Sequence, residues 1–302
     1  MRARCPAKVN LSLRVLGRRP DGYHELETVF QAIDLWDDLK ALPASTLTLA
    51  CDDPRLATDR SNLVVRAAER LREAFPARAS GASVRLRKRI PVGGGLGGGS
   101  SDAAGTLLLL TRLWGLPASP TELDSLAREL GADVPFFLHG GRVLGTGRGD
   151  VLQPFPSPDR FPILLGCPPF SVSTEWAYRS LASWLTLPST GASVDALSAH
   201  KWQEENDFRF AGNDLERAVF AERPELVVFR NALLEQGAAP ALLSGSGSAI
   251  FGVFAEEATL DKARAALARR FADWRLISTR AVGSAAHVVD LDSESEVGRT
   301  GE

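Results

Sequence analysis

Residues 91–110 read PVGGGLGGGSSDAAGTLLLL, and no other segment narrows the possible folds as far. Six of the seven residues from Gly93 to Gly99 are glycine. Without a Cβ, the backbone N–H groups of such a run can converge and approach a ligand closely. Ser100 and Ser101 close the run, and Ala103, Ala104, Leu107, Leu108 and Leu110 follow in a helical pattern with no proline. A glycine loop that opens a helix is an anion site, because the first N–H groups of the helix lack partners and carry roughly half a positive charge. The anion that best suits so open a loop is a nucleotide phosphate.

Other glycine loops fit less well. A Walker A loop needs Lys directly before its Ser or Thr, and here Gly99 precedes Ser100. Gly93, Gly95 and Gly98 satisfy the dinucleotide spacing G-x-G-x-x-G, with Glu122 and Asp124 downstream. That fingerprint should follow a near-continuous apolar strand of a parallel sheet. Residues 83–90 instead alternate: Val84, Leu86, Lys88 and Ile90 share one face, and Arg85, Arg87 and Arg89 share the other. This predicts a half-exposed, antiparallel strand. A flexible linker would not run straight into a Leu-rich helix.

Lysine is scarce. Of 35 Lys and Arg residues only five are Lys, at positions 8, 40, 88, 201 and 262. A position that keeps Lys can need a compact point charge that Arg does not supply. Lys88 lies just before the glycine loop. Lys8 lies in PAKVNLSLRVLG, an early strand whose inward residues are Val9, Leu11 and Leu13 or the alternate set. For either lysine, a solvated surface position is the competing reading.

With 302 residues, 44% of them hydrophobic, the chain can bury a large core and is expected to form two domains. A net charge of −2 argues against nucleic acid as a main partner. Cys5, Cys51 and Cys167 form no C-x-x-C pair and fit a reducing cytoplasm. No signal peptide or membrane span is expected. Strands are expected at 2–16 and 25–40, and an amphipathic helix at 61–75 with Leu63, Ala67, Leu71 and Ala74 along one stripe. A further helix starts at Ser119, with Pro120 in the first turn, Glu122 closing a capping box and Gly131 stopping it. Residues 141–155 read as a hairpin. The Pro-rich stretch 154–162 divides residues 1–155 from a second domain at 156–290, and the polar tail 291–302 is expected to be disordered. The second domain reads as a strand near 161–169, helices at 174–185, 213–221 and 224–236, strand–glycine turn–strand at 240–254, then a helix and a final strand.

Three blocks carry a family resemblance: PAKVNLSLRVLGRRPDGYHELETVFQ at 6–31, PVGGGLGGGSSDAA at 91–104 with GADVPFF at 131–137, and LLSGSGSAIF at 242–251. In order and spacing they resemble the GHMP small-molecule kinases, over most of residues 1–290. The paired DGYHEL and GGGLGGGSSDAA blocks resemble the branch acting on 4-diphosphocytidyl-2-C-methyl-D-erythritol. The resemblance implies a two-domain α+β fold, with a ribosomal S5-like ATP domain, a ferredoxin-like second domain and the site in the cleft between them. It also implies transfer of phosphate from ATP to the 2-hydroxyl of that substrate, in the non-mevalonate route to isoprenoid precursors. The partner is then a small molecule, and the chain a cytoplasmic monomer or weak homodimer.

Residue by residue, the resemblance implies that Lys8 and Asp133 are catalytic, Asp133 as general base and Lys8 as the cation beside it. Without it, Asp133 would read as a helix N-cap before Val134-Pro135. Pro91, Gly93, Gly94, Gly95, Leu96, Gly97, Gly98, Gly99, Ser100 and Ser101 would hold ATP. Asn62 would read adenine, and Lys88 would lie near the nucleotide. Tyr23 would stack on cytosine and His24 would hydrogen-bond its edge. Without the resemblance these two read as a core-edge aromatic and a surface residue. Asn10 shares the strand face of Lys8 and matches a substrate contact. Tyr178 is placed as the second aromatic stacker, and Gly245, Ser246 and Gly247 line the site from the second domain. Mg²⁺ is expected to travel with ATP, with no protein side chain assigned to it. The alternatives are a homoserine or mevalonate kinase, a non-catalytic nucleotide sensor on the same fold, and a dehydrogenase.

Overall fold

The computed structural model describes residues 1–155, 160–182, 208 and 211–283. In chain order the first half holds β1 (Arg2–Arg18), β2 (His24–Ala44), β3 (Thr48–Cys51), α1 (Leu63–Ala74), β4 (Gly81–Arg87), α2 (Gly98–Leu113), α3 (Pro120–Leu130), α4 (Val134–His139), β5 (Arg142–Gly147) and β6 (Val151–Phe155). The second half holds β7 (Pro162–Cys167), α5 (Thr174–Ala182), β8 (Gly212–Asn213), α6 (Glu216–Glu222), α7 (Pro224–Glu235), β9 (Ala241–Leu243), β10 (Ile250–Val253), α8 (Glu257–Arg270) and β11 (Arg275–Arg280). Residues 156–159, where the expected domain boundary falls, and the tail 291–302 lie outside the described residues.

Two sheets result. One runs β3-β4-β2-β1-β8, with β5 also on β2 and β6 on β5; the other runs β11-β7-β10-β9. The long β2 pairs throughout with β1 on one edge and divides its other edge, giving residues 26–31 to β5 and 38–44 to β4. Helices α1 to α4 cover one face of the first sheet and α5 to α8 pack on the second. A third apolar cluster, including Val9, Leu11, Ile33, Leu165 and Phe251, joins the two sheets. β1 is therefore buried on both faces from Cys5 to Leu13, which is why neither alternating set of its residues stands out as inward.

A register shift between Pro6 and Ala7 decides what each face carries. Before it, Ala3 and Cys5 join the helical-side core; after it, Ala7, Val9 and Leu11 face the second sheet. Pro6 pairs with Trp36 but Ala7 with Ile33, so two residues of β2 are left unpaired there, and the faces exchange across this irregularity. β4 keeps the predicted alternation, with Val84 and Leu86 buried and Arg85, Arg87 and Arg89 exposed. It is antiparallel to β2, as expected, and parallel to β3, a short edge strand that the sequence reading missed.

The α1 stripe is displaced from the expected one. Val64, Ala67, Ala68 and Leu71 are buried at i, i+3, i+4 and i+7, while Ala74, in the last turn, is exposed. The predicted capping box is present: Ser119 Oγ accepts from Glu122 N at 3.2 Å, and the Glu122 carboxylate accepts from Ser119 N at 2.8 Å. Ser119→Ala is expected to cost about 1 kcal/mol, read as a lower urea midpoint with an unchanged slope.

Candidate active site

Gly93, Gly95 and Gly97 all have positive φ, at 75°, 72° and 70°. Gly97 occupies the N-cap of α2, and Ser101 N closes the first helical bond on its carbonyl at 2.9 Å. The N–H groups of Gly98, Gly99 and Ser100 are thereby left for a ligand. Leu96 anchors the loop: its side chain is buried between the sheets, and its carbonyl accepts from Lys8 N at 3.0 Å. Gly94 is buried, Pro91 and Ser100 are half-buried, and Gly99 is exposed. Ser101, expected to meet phosphate, is fully buried, and its Oγ has no partner among the described residues.

The second glycine turn is stitched to the first. Ser244 Oγ donates to Gly95 O at 3.0 Å, Ala249 N to Gly94 O at 3.1 Å and Ser248 N to Gly93 O at 3.3 Å. Asn213 holds this turn from below, its Nδ2 donating to Leu243 O at 2.9 Å and Gly245 O at 2.7 Å. A Cβ on Gly95 would lie 2.0 Å from Ser244 O, in a backbone conformation that L side chains rarely adopt. Gly95→Ala should therefore destabilise by about 1–3 kcal/mol, measurable by thermal or urea unfolding, and should weaken nucleotide binding.

Where the loop, β1 and α4 meet, Lys8 Nζ lies 3.4 Å from Asp133 Oδ2 and donates to Asn10 Oδ1 at 2.6 Å. Asn10 Nδ2 donates to Thr28 Oγ1 and Thr28 Oγ1 to Ser12 O, both at 2.7 Å, so the ammonium is held by a chain of fixed groups. Lys8 is buried and Asp133 half-exposed, which leaves one carboxylate edge open to a reactant. Asp133 does stand at the N-cap position of α4, but its side chain makes no capping bond. Gly245 comes so close that a Cβ there would sit 3.3 Å from Lys8 Nζ.

These groups open into a cavity of about 730 Å³, lined on its far side by Tyr23, His24 and Tyr178. His24 and Tyr178 stack with ring centroids 5.3 Å apart and 25° between planes. Burial, with a smaller push from Arg18, lowers the His24 pKa, which favours the neutral ring that can both donate and accept. Its Nε2 has no partner among the described residues. Tyr23 is 55% exposed, and the Arg148 guanidinium lies 5.0 Å from its ring centroid. Ser246 Oγ is 2.8 Å from Thr174 Oγ1, and Gly247 has φ 83°.

The sequence profile of the GHMP kinase N-terminal domain matches residues 62–141, and that of the GHMP kinase C-terminal region matches residues 193–273. A 4-diphosphocytidyl-2-C-methyl-D-erythritol kinase of Salinibacter ruber is 44% identical over 87% of this chain and 92% of its own. One from Pelotomaculum thermopropionicum is 43% identical over 91% and 95%. The chain belongs to the GHMP kinase family, in its 4-diphosphocytidyl-2-C-methyl-D-erythritol kinase branch. A crystal structure of a 4-(cytidine 5'-diphospho)-2C-methyl-D-erythritol kinase superposes with a TM-score of 0.76 at 38% identity, over 94% of this chain and 100% of the other. A homoserine kinase from Cytophaga hutchinsonii, 21% identical, shares the fold with a TM-score of 0.72 over 96% of this chain and 97% of its own.

Two residues expected near the nucleotide, Lys88 and Asn62, are held by protein partners. Lys88 does not line the cavity. It turns under α2 and pairs with Asp102 Oδ2 at 2.7 Å and with Asp37 Oδ2, all three side chains being buried. Asn62 caps α1, its Oδ1 accepting from Val64 N at 2.9 Å and its Nδ2 donating to Ala57 O at 2.8 Å. Sequence reasoning passed over Arg18, Arg148 and Arg179, three cations of the cavity wall. Arg148 carried a signal, since it lies between two glycines in the β5–β6 turn, where Asp150 grips it at 2.7 Å.

Proposed function

We propose that this GHMP kinase transfers the γ-phosphoryl group of Mg-ATP to the 2-hydroxyl of 4-diphosphocytidyl-2-C-methyl-D-erythritol, a step of the non-mevalonate route to isoprenoid precursors. The observation that carries the reading is the Lys8–Asp133 pair, set between an open helix N-terminus and an aromatic recess. Phosphoryl transfer asks a protein mainly for positioning and charge neutralisation. The Gly93–Gly99 loop and the N–H groups of Gly98 to Ser100 hold the nucleotide phosphates, with the half-exposed Ser100 hydroxyl beside them. Asn62 keeps an N–H free of its cap for adenine. Asp133 accepts the proton of the attacking hydroxyl, and Lys8 beside it offsets charge on the group in flight. Mg²⁺ enters with the nucleotide, bridging its phosphates, as phosphoryl transfer requires.

The recess supplies the substrate's other end. Cytosine stacks on the face of Tyr23 away from Arg148, while neutral His24 bonds its polar edge. The diphosphate meets Arg18, Arg148 and Arg179. Tyr23→Ala removes an exposed ring at no folding cost and is expected to raise KM for the cytidyl substrate about 5- to 150-fold, with a smaller change in kcat. A ³¹P NMR assay with Mg-ATP tests the function itself, with mevalonate and homoserine run in parallel. A new phosphomonoester only with the cytidyl substrate supports the reading; product only with another alcohol overturns the substrate assignment.

A further inference from the structure

One buried amide joins the two halves of the chain beside the catalytic pair. β9 is the edge strand of the second sheet and pairs with β10. At its last residue two side chains stand where a neighbouring strand would be: Leu243 O accepts from Asn213 Nδ2 at 2.9 Å, and Leu243 N donates to Glu216 Oε1 at 2.8 Å. Asn213 Nδ2 gives its second proton to Gly245 O at 2.7 Å, and its Oδ1 accepts from Leu215 N at 2.9 Å. Asn213 is only 8% exposed. Two donors and an acceptor on so short a side chain require an amide, since Asp offers acceptors and Ser a single proton.

The backbone of the same segment belongs to the first sheet. Gly212 pairs in parallel with Ser12 and Asn213 with Leu13. Asp214 N donates to Leu13 O at 2.9 Å, and the Asp214 carboxylate accepts from Val15 N at 2.8 Å. All of these contacts fall on β1, the strand of Lys8. The bonds that fix the Lys8 ammonium, through Asn10 and Thr28, end on Ser12 O. On the other side of Asn213, Gly245 has φ 55°, and a Cβ there would lie 3.3 Å from Lys8 Nζ and 3.4 Å from Asn10 Oδ1. The contacts thus close a ring that runs from Lys8 through Asn10, Thr28, Ser12, Asn213 and Gly245 back to Lys8. Ser244, Ser248 and Ala249 tie the second glycine turn to the first. Gly245 makes no such bond: among the described residues, the bond from Asn213 is its one hydrogen bond.

We infer that Asn213 is a positioning residue for phosphoryl transfer: by pinning Gly245 O it holds the second glycine turn against the Lys8 ammonium and so sets where that cation stands beside Asp133. The inference rests on the reading of Lys8 as the cation of the reaction. Asn213 does not line the cavity and acts through Gly245, which does. Its loss leaves the nucleotide loop the bonds from Ser244, Ser248 and Ala249, so nucleotide binding is spared. The alignment of Lys8 with Asp133, 3.4 Å apart, is not. A misplacement of about 1 Å at a reacting centre can slow a reaction about 10²-fold.

Asn213→Ala should lower kcat about 10- to 100-fold with little change in KM for Mg-ATP, in full-length protein shown to be folded by near-ultraviolet circular dichroism. Asn213→Asp keeps the shape and the acceptor for Leu215 N but brings at most one proton to two carbonyls, so its kcat should fall between. Should Asn213→Ala not fold, Asn213→Asp carries the comparison. Glu216→Ala is the structural control. It removes the acceptor for Leu243 N from the same edge of β9 without touching Gly245, and should lower the thermal midpoint while kcat stays near wild type. In a slow Lys8→Met background, Asn213→Ala should cost nothing further, because the two changes disable one unit. Wild-type kcat in the Asn213 variants, a kcat loss in Glu216→Ala equal to that in Asn213→Ala, or a full additional loss on top of Lys8→Met would each overturn the inference. If Lys8→Met is slow and Asn213→Ala is not, the inference alone falls. If Lys8→Met turns over at the wild-type rate, the reading of Lys8 falls and the inference with it.

Discussion

Asp133→Asn should slow phosphoryl transfer about 10²- to 10⁴-fold while Mg-ATP binds as before. The substitution keeps size and shape at the N-cap of α4, where the native carboxylate makes no capping bond, so the helix loses nothing it was using. What disappears is the acceptor for the hydroxyl proton. Lys8 stays bonded to Asn10 and to the loop through Leu96 O, so the cation and the phosphate cradle remain in place. Single-turnover rates and nucleotide affinity should therefore separate. A variant with wild-type rates would remove Asp133 from the role of base, and one that lost ATP binding as well would make it a structural residue of the loop.

Lys88→Met is expected to destabilise the protein by about 3–5 kcal/mol, because it strands two buried carboxylates that share one cation. Asp37 retains backbone donors, Arg89 N at 2.5 Å and Ile90 N at 2.9 Å. Asp102 is worse placed, with Oδ1 buried and unpartnered. Burial, opposed by Lys88 and reinforced by Asp37, pushes its carboxyl from 3.8 up to about 7. A carboxyl raised on folding contributes stability that is complete below about 3.8 and lost as pH rises through about 7. Without Lys88 the cost of ionising Asp102 grows, so the loss should be larger at pH 8 than at pH 5 in paired denaturation curves. Equal losses at both values would mean that the cluster is not the source. The lesion should also reach the nucleotide loop, since Lys88 Nζ lies 3.2 Å from where a Cβ on Gly98 would stand.

What the sequence disclosed follows from the range of each signal. The glycine loop, the Ser119 capping box and the 141–155 hairpin are local, and each is present where its residues place it. The faces of β1 were not legible, because they turn on one register shift at Pro6/Ala7 that no composition rule marks. Nor was the position of Lys88: its partner Asp37 lies 51 residues away, on a strand whose register only the folded sheet sets. β8 was missed for the same reason, being two residues long and held by pairing of Gly212 with Ser12. Asp133 read equally as a helix cap, and only the folded chain shows that its side chain makes no capping bond. Its proximity to Lys8 is a matter of distance in space, not of spacing along the chain.

The carbonyls of Gly93, Gly94 and Gly95 are all spent on the turn at residues 244–249, while the loop's forward N–H groups stay free. The loop thus works as a shared hinge plate, gripped from behind by the second half of the chain and open in front. A chimera taking residues 160–283 from a distant relative would have to import a turn that meets those three carbonyls, or its nucleotide loop would lose its backing even with every loop residue intact.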